Sequence, residues 1–157
     1  MNIAIPLTNF NTQSLSFSEP IKNNLIQNAT FIRLFYLTSC ASFNGLHIFF
    51  QLNNVVSEKY FNKNKYSFNV YQNYETINRL KQMEEKILSQ YNTDTSKKTL
   101  YKISEYIQEG NIKTFQTDVD VSFYTSIFIL KISGIWENDE YMGLTFKFLK
   151  WVSPSIS

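Results

Sequence analysis

Apolar and polar residues alternate most regularly near the end of the chain, over residues 126–151. Every second residue from 128 to 136 is apolar or glycine, whereas the opposite face carries Lys131 in its middle. The polar stretch 137–140 predicts a turn, and the return strand then places Lys147 on the same face as Lys131. The pattern predicts a hairpin with one buried apolar face and one mixed face that can meet a partner.

A second pair of alternating segments lies earlier in the chain, at residues 30–38 and 46–52. The connection ends in Asn44 and Gly45, a dipeptide that favours tight hairpin turns, so the two segments are predicted to pair with each other. The alternation places seven side chains on the outward side: Phe31, Arg33, Phe35, Leu37, His47, Phe49 and Gln51. Because the chain has one histidine and one distant cysteine, this histidine is predicted to be a surface residue and not a metal ligand.

The hydrophobic period changes in the middle of the chain, where two helices are predicted. Apolar residues spaced by three and four predict an amphipathic helix over residues 74–91. A second helix is predicted over residues 96–109, with Thr95 or Ser96 as its cap and Gly110 at its end.

The remaining segments predict shorter strands and their connections. Residues 59–71 interleave lysines with aromatic rings and predict a basic loop that becomes a strand from about residue 66. Short strands are also predicted at residues 3–7, 15–17 and 112–115.

The order of strands, helices and strands favours an α+β fold that is mainly β. A helical insertion at about residues 74–109 precedes the C-terminal hairpin. The strands are expected to form a curled antiparallel sheet or small barrel. The length predicts a single domain over residues 1–157.

The composition adds an excess of aromatic residues to this picture. They make up 17% of the chain, which has only 4 glycines and 3 prolines. Two causes are open: an AT-rich gene, which raises the share of Asn, Lys, Ile, Phe and Tyr, or a surface whose rings stack on bases. The net charge of +2 does not by itself indicate nucleic-acid binding, and the positive excess lies in the first half of the chain.

The single cysteine and the hydropathy pattern indicate the compartment. Cys40 excludes an internal disulfide and a multi-cysteine metal site, which fits a reducing environment. The N-terminal residues lack the basic start and long apolar run of a signal peptide, and no uncharged run approaches the length of a membrane span. We therefore expect a soluble intracellular protein that has no membrane partner.

Catalytic motifs are missing from the sequence. It has no Gly-rich phosphate loop, no serine nucleophile motif and no cysteine–histidine pair in a catalytic context. Asp118 and Asp120 could share a strand face and hold a divalent ion, as nuclease carboxylates do, but acidic connections are usually solvated loops. The sequence therefore predicts neither an enzyme nor a cofactor or metal site.

The main candidate chemistry is the interleaving of basic and aromatic side chains. Cations bind phosphates and flat rings stack on bases, so together they are typical of a surface that binds a single nucleic-acid strand. The candidate cations are Arg33, Lys59, Lys63, Lys65, Lys131 and Lys147. The candidate stacking rings are Phe35, Phe49, Tyr60, Tyr66 and Trp151. In the alternative interpretation, Phe35 and Phe49 pack beneath the helices and the lysines only keep an apolar chain soluble.

The hairpin at residues 128–148 also carries a sequence resemblance. Its strands contain ILKISGIWE and GLTFKF around an acidic turn. This block resembles the ILKI-x-GIWE, acidic turn and GLTYKF of the single-stranded DNA-binding proteins of nucleocytoplasmic large DNA viruses. The segments FIRLFY, NGLHIFFQL and NYETINRLKQMEEKIL occur in the same order, so the resemblance extends over residues 30–150. Within this group, the chain resembles most the single-stranded DNA-binding proteins of yeast cytoplasmic linear plasmids.

The resemblance implies a fold, a function and partners. The fold would be an oligonucleotide/oligosaccharide-binding barrel, related to the phage-type group, that coats single-stranded DNA during protein-primed replication in the cytoplasm. The implied partners are single-stranded DNA, the replicative DNA polymerase, the terminal protein and further copies of the chain. The matching block points to Lys131, Lys147 and Trp136, although alternation alone places Trp136 in the core. Phage-type members end in an acidic tail that recruits partners, whereas this sequence ends in KWVSPSIS, so recruitment by such a tail is not expected.

A different class of function fits the same face of the hairpin. Four apolar side chains are predicted to lie uncovered beside Lys131: Ile127, Ile129, Ile135 and Leu149. Such a face would suit a structural or assembly protein that joins copies of itself or a partner. Cooperative coating of a strand also needs contacts between neighbours, so the two functions can coexist.

Overall fold

The computed structural model describes residues 4–22, 28–91, 96–115 and 127–151, and the account below refers to these ranges. They form two helices and twelve strands, besides short 3-10 turns at Leu7–Asn9 and Thr12–Ser14. The strands are β1 Ile5–Pro6, β2 Leu15–Phe17, β3 Ile21–Lys22, β4 Thr30–Leu37, β5 Ser42–Asn44, β6 Leu46–Gln51, β7 Val56–Tyr60, β8 Lys63–Ser67, β9 Lys98–Leu100, β10 Asn111–Thr114, β11 Ile127–Glu137 and β12 Tyr141–Lys150. The helices are α1 Tyr74–Tyr91 and α2 Lys102–Gln108. The predicted α+β class, mainly β, is confirmed.

The strands form two sheets. In the larger sheet β11 is central: one edge pairs with β12, and the other pairs first with β6 and then with β4. β1 and β9 extend this sheet as parallel neighbours of β6 and β12, while β2, β3 and β5 pair with β4. The smaller sheet has the order β10-β8-β7. Within the described ranges, the hydrogen-bonded pairs do not close into a single ring.

The C-terminal hairpin, β11–β12, forms as predicted. Asn138 builds its turn, because its side-chain oxygen accepts hydrogen bonds from the backbone N–H of Glu140 at 2.9 Å and of Tyr141 at 2.7 Å. Phe128, Leu130 and other inward side chains lie in the core that the sheet shares with α1. The opposite side of the hairpin is the outer face of the large sheet.

A β-bulge at Ser133 overturns two of the predictions for this hairpin. Ile132 lies opposite Phe146, but Gly134 lies opposite Thr145, so Ser133 is one extra residue in β11. Beyond the bulge the alternation is reversed. Ile135, predicted to be uncovered, is fully buried, and Trp136, predicted to lie in the core, is half-buried on the outer face opposite Gly143.

The predicted pairing of residues 30–38 with residues 46–52 is wrong. β4 makes its hairpin with β5, through a turn in which the N–H of Thr38 donates to the carbonyl of Ala41 at 2.8 Å. Gly45, at a φ of +84°, then directs the chain into β6. Because β4 and β6 occupy the same edge of β11 one after the other, they cannot lie side by side. The predicted inward and outward faces of each strand are nevertheless confirmed.

Helix α1 has the predicted bounds, but α2 begins later than predicted. Residues Lys98–Leu100 form a strand parallel to β12 instead of the first turn of the helix. The start of α2 is set by Glu84 of α1, whose carboxylate accepts hydrogen bonds from the N–H of Ile103 at 2.8 Å and of Ser104 at 2.9 Å. The Ser104 hydroxyl donates a third bond at 2.6 Å. A buried carboxylate therefore caps α2 in place of Ser96; the other predicted cap, Thr95, lies outside the described residues.

Two further local predictions have different outcomes. Gly110, predicted to end the second helix, follows α2 at a φ of +79°, which confirms the prediction. The basic loop predicted from residue 59 is wrong, because β7 and β8 form a hairpin that turns at Phe61 and Asn62.

The Glu84 cap generates a stability prediction. Burial raises the pKa of the Glu84 carboxyl, and the hydrogen bonds from Ser104 and Ile103 oppose that shift. Replacing Glu84 with alanine leaves the two backbone N–H groups of α2 buried without an acceptor. We expect Glu84→Ala to lower the free energy of unfolding by roughly 2–4 kcal/mol, measured by urea unfolding.

The neighbouring carboxylate provides the matched control. Glu85 is exposed on the same helix, so Glu85→Ala should change the free energy of unfolding by less than about 0.5 kcal/mol. Equal losses for the two variants would show that Glu84 does not act as the cap.

Candidate nucleic-acid interface

The outer face of the large sheet carries the neighbouring ammonium groups of Lys131 and Lys147, which we call the cation row. Cross-strand pairing sets His47 of β6 beside Lys131 of β11, and Lys131 beside Lys147 of β12. The same pairing sets Phe49, Ile129 and Leu149 in the next row. These residues, with Ala4 and Trp151, line a shallow groove of about 490 Å³.

Arg33 extends the cation row towards β4. It lies opposite Gly134 and lines, with Lys131 and Ser133, a depression next to the first groove. In the described part of the chain, no acidic side chain lines either depression and no carboxylate is within ion-pair distance of these cations. The face therefore offers positive charge without local compensation.

Rings lie on both sides of the cation row. Phe49 and Trp151, which are 37% and 41% exposed, lie at one end. Phe31 and Trp136, which we call the ring pair, lie opposite each other at the other end. Two glycines make room for the ring pair: Phe31 packs over Gly134, and the Trp136 indole passes 3.1 Å from where a Cβ of Gly143 would be.

Neither member of the ring pair is among the stacking rings predicted from the sequence pattern, although the resemblance points to Trp136. Trp136 is there because of the bulge, which alternation does not reveal. Phe31 was on the correct side of its strand, and its spacing of two from Arg33 was the available signal.

His47 is buried, contrary to the prediction of a surface residue. It lies on the outward side of β6 but is only 8% exposed, since it forms part of the floor of the groove. Burial lowers the pKa of its imidazole, and the charges of Lys131 and Lys147 lower it further. His47 is therefore a neutral hydrogen-bonding group at pH 7. Among the described residues, no three His, Cys, Asp or Glu side chains come together as a metal site.

A second basic and aromatic surface lies on the β7-β8-β10 sheet, which we call the small sheet. The Lys63 ammonium lies 4.4 Å from the centre of the Phe115 ring, and the Lys113 ammonium lies 4.8 Å from the centre of the Tyr60 ring. Lys65 contacts the same tyrosine at 6.0 Å, and it also makes an ion pair of 3.6 Å with Glu58. The predicted Tyr60, Lys63 and Lys65 therefore share a face.

Three predicted site residues do not join either surface as expected. Tyr66 is 1% exposed and packs its ring against Phe128 at 5.1 Å between centres, so its assignment as a stacking ring is wrong. Lys59 is exposed, but the register of β7 places it on the opposite side of the small sheet from Tyr60. Phe35 is half-buried between β2 and β5 and does not line the groove.

Two contributors to the small sheet were not predicted from the sequence. Lys113 and Phe115 join it because β10 pairs with β8, a contact between distant segments. Their spacing of two residues was the only local signal. The carboxylates Asp118 and Asp120 lie outside the described residues.

Comparison with known proteins adds no relative. No protein-family model matches the chain, and no curated protein or solved structure is significantly similar to it. Neither helix in the described ranges is both long and apolar enough to cross a membrane. The geometry of the two surfaces and the resemblance of residues 128–148 are therefore the observations that bear on function.

The buried histidine generates a prediction of pH dependence. Because the folded protein lowers the pKa of His47 from 6.5, the unfolded chain takes up a proton first as the pH falls. We expect the wild type to lose stability relative to His47→Gln as the pH falls below about 6.5, by at most about 1.4 kcal/mol per pH unit.

Urea unfolding of both proteins between pH 5 and pH 8 measures this difference. All other titrating groups are common to the two proteins, so the difference isolates the imidazole. A difference in stability that does not change with pH would show that the folded state does not perturb His47.

Proposed function

We propose that the protein is a non-catalytic, sequence-tolerant binder of single-stranded DNA whose sheet belongs to a barrel of the oligonucleotide/oligosaccharide-binding type. The observation that carries this proposal is the outer face, where Arg33, Lys131 and Lys147 lie together and no carboxylate of the described residues lines the surface. The exposed Phe49 and Trp151 lie at one end of these cations, and the half-buried ring pair lies at the other. The phosphates of a single strand can contact the cations of this face, and its bases can stack on the rings.

The cations supply the affinity that does not depend on sequence. Ammonium and guanidinium groups that bind phosphates release counterions, so binding weakens as salt rises. Lys147 is exposed and Lys131 is half-buried beside it, so both positive charges lie at the surface of the groove. A net charge of +2 is compatible with phosphate binding, because these cations share one face that no acidic side chain of the described residues lines.

The rings supply a preference for unpaired bases. Stacking on an aromatic side chain requires an open base face, which a duplex does not offer, and it tolerates every base. Phe49 and Trp151 are exposed at one end of the cation row, beside Ile129 and Leu149, and Trp136 is half-buried at the other end. This arrangement supports binding of single strands with little sequence preference.

The resemblance of residues 128–148 supports a role in DNA replication. The protein would coat and protect strands in the cytoplasm, alongside a replicative DNA polymerase and a terminal protein. The residues of the matching block that lie on the outer face, Lys131, Trp136 and Lys147, are ones that this function needs there.

A second candidate function is self-association through the same face. Ile127, Ile129 and Leu149 are only half-buried and lie beside the exposed Phe49 and Trp151. A face of this kind could join copies of the chain. A mass that rises with concentration, without binding to any nucleic acid, would favour assembly over strand binding.

The cation row generates a binding prediction. We expect Lys131→Ala and Lys147→Ala each to weaken binding to labelled oligo-dT and to reduce the slope of log affinity against log salt by about 0.7. Fluorescence anisotropy across a salt series measures both quantities. Lys86→Ala, which removes the same charge from an exposed position of α1, should leave both unchanged.

The same measurement on a matched duplex and on RNA tests the choice of strand. The proposal requires tighter binding to oligo-dT than to the duplex, and comparison with RNA shows whether the sugar is recognised. Absence of binding to oligo-dT at low salt would refute the proposed function.

The exposed indole of Trp151 generates a prediction for stacking. We expect Trp151→Ala to weaken the binding of oligo-dT by about 1–3 kcal/mol while leaving the salt slope unchanged. The matched control is Tyr71→Ala, because Tyr71 is 88% exposed but does not line the groove. An equal effect of the two substitutions would argue against stacking on Trp151.

A further inference from the structure

A cleft of about 670 Å³ lies where β12 meets α2 and the small sheet. Four lysines line it: Lys63, Lys102, Lys113 and Lys147. Aromatic residues also line it, among them Tyr106, Phe115 and Trp136, and within the described ranges no acidic side chain does so. The cleft therefore repeats the combination of cations and rings found on the outer face.

The cleft is continuous with the outer face. Lys147 and Leu149 line both the outer groove and the cleft, so the two depressions share one stretch of β12. Trp136, one member of the ring pair, also lines the cleft. A chain that leaves the cation row across β12 would enter the cleft at these residues.

Two of the cleft lysines are available to an anion. Lys63 and Lys113 contact ring faces, at 4.4 Å and 4.8 Å from the ring centres, and neither makes an ion pair with a carboxylate of the described residues. Lys102 differs, because its ammonium lies 3.0 Å from a carboxylate oxygen of Glu105. Phe115 is 73% exposed beside Lys63 and offers an open ring to a base.

We propose that the cleft is a second binding segment for the same DNA strand, which crosses β12 from the outer face and places further phosphates on Lys63 and Lys113. This inference rests on the proposed function and extends it to the length of strand that one molecule holds. Binding then has two stages: short strands occupy the outer face alone, and longer strands also occupy the cleft.

A length series of oligo-dT, from 4 to 20 nucleotides, tests the proposal by fluorescence anisotropy. For the longest oligonucleotide, the affinity of the wild type should fall about 7-fold more between 50 and 200 mM salt than that of the Lys63→Ala/Lys113→Ala variant, as two single-strand phosphate contacts require. The two proteins should bind the shortest bound oligonucleotide equally. Phe115→Ala should weaken binding of the longest one about 5- to 150-fold.

Two kinds of control separate charge and folding from the cleft itself. Lys59→Ala/Lys86→Ala removes the same charge from the opposite side of the small sheet and from α1, and should behave as wild type at every length. Lys63→Arg/Lys113→Arg should retain the salt dependence for the longest oligonucleotide. Unfolding curves identify any variant that has lost its fold.

The outcomes distinguish this inference from the proposed function. If Lys131→Ala weakens binding at all lengths while Lys63→Ala/Lys113→Ala has no effect at any length, the cleft does not hold DNA and the outer face still does. An equal loss at all lengths would mean that the two surfaces are not successive segments, and would overturn the inference. If the wild type binds no oligonucleotide of any length, both proposals are wrong.

Discussion

The structure depends on how three backbones meet at the centre of β11. One edge of this strand must serve β6 up to Ile132 and β4 from Gly134 onwards, and the extra residue Ser133 lies at the change of partner. A Cβ at Gly134 would collide with the carbonyl oxygen of Ile32, so glycine permits the close approach. The bulge reverses which face of the sheet each later residue of β11 points to. It thereby buries Ile135 and brings an indole to the same face as the cation row.

Local periodicity predicted those parts of the fold that depend on neighbours in sequence. The bounds of α1, the C-terminal hairpin and the faces of β4 and β6 follow from spacing alone. The partner of each strand does not follow, because alternation states which side chains share a face and not which strand lies alongside. The start of α2 could not be predicted for a related reason, because its cap is Glu84, which belongs to another helix. The sequence shows a carboxylate among the apolar residues of α1, but it does not show which backbone N–H groups will donate hydrogen bonds to that carboxylate.

The candidate site was predictable to the same extent. Arg33, Lys131 and Lys147 reach one face because each lies on a regular part of its strand. A basic loop is predicted from residue 59 to about residue 66, whereas a hairpin there gives each residue a definite side of the small sheet. The hairpin buries Tyr66 and places Lys59 on the opposite side from Tyr60. The joining of the outer face to the cleft depends on packing between sheets, for which the sequence holds no periodic signal.

The placement of the rings bears on the two explanations for the aromatic excess. An AT-rich gene raises the number of Phe and Tyr codons without regard to position, and core rings such as Phe50 and Phe128 need no other cause. It gives no reason for exposed rings to lie beside cations where no carboxylate of the described residues lines the surface. Trp151 and Phe115 are exposed in this way, at the outer groove and the cleft respectively, although exposing a large apolar ring forgoes the free energy of its burial. Mutational bias thus suffices for the core, whereas the exposed rings beside cations are the ones that the proposed binding of single-stranded DNA would use.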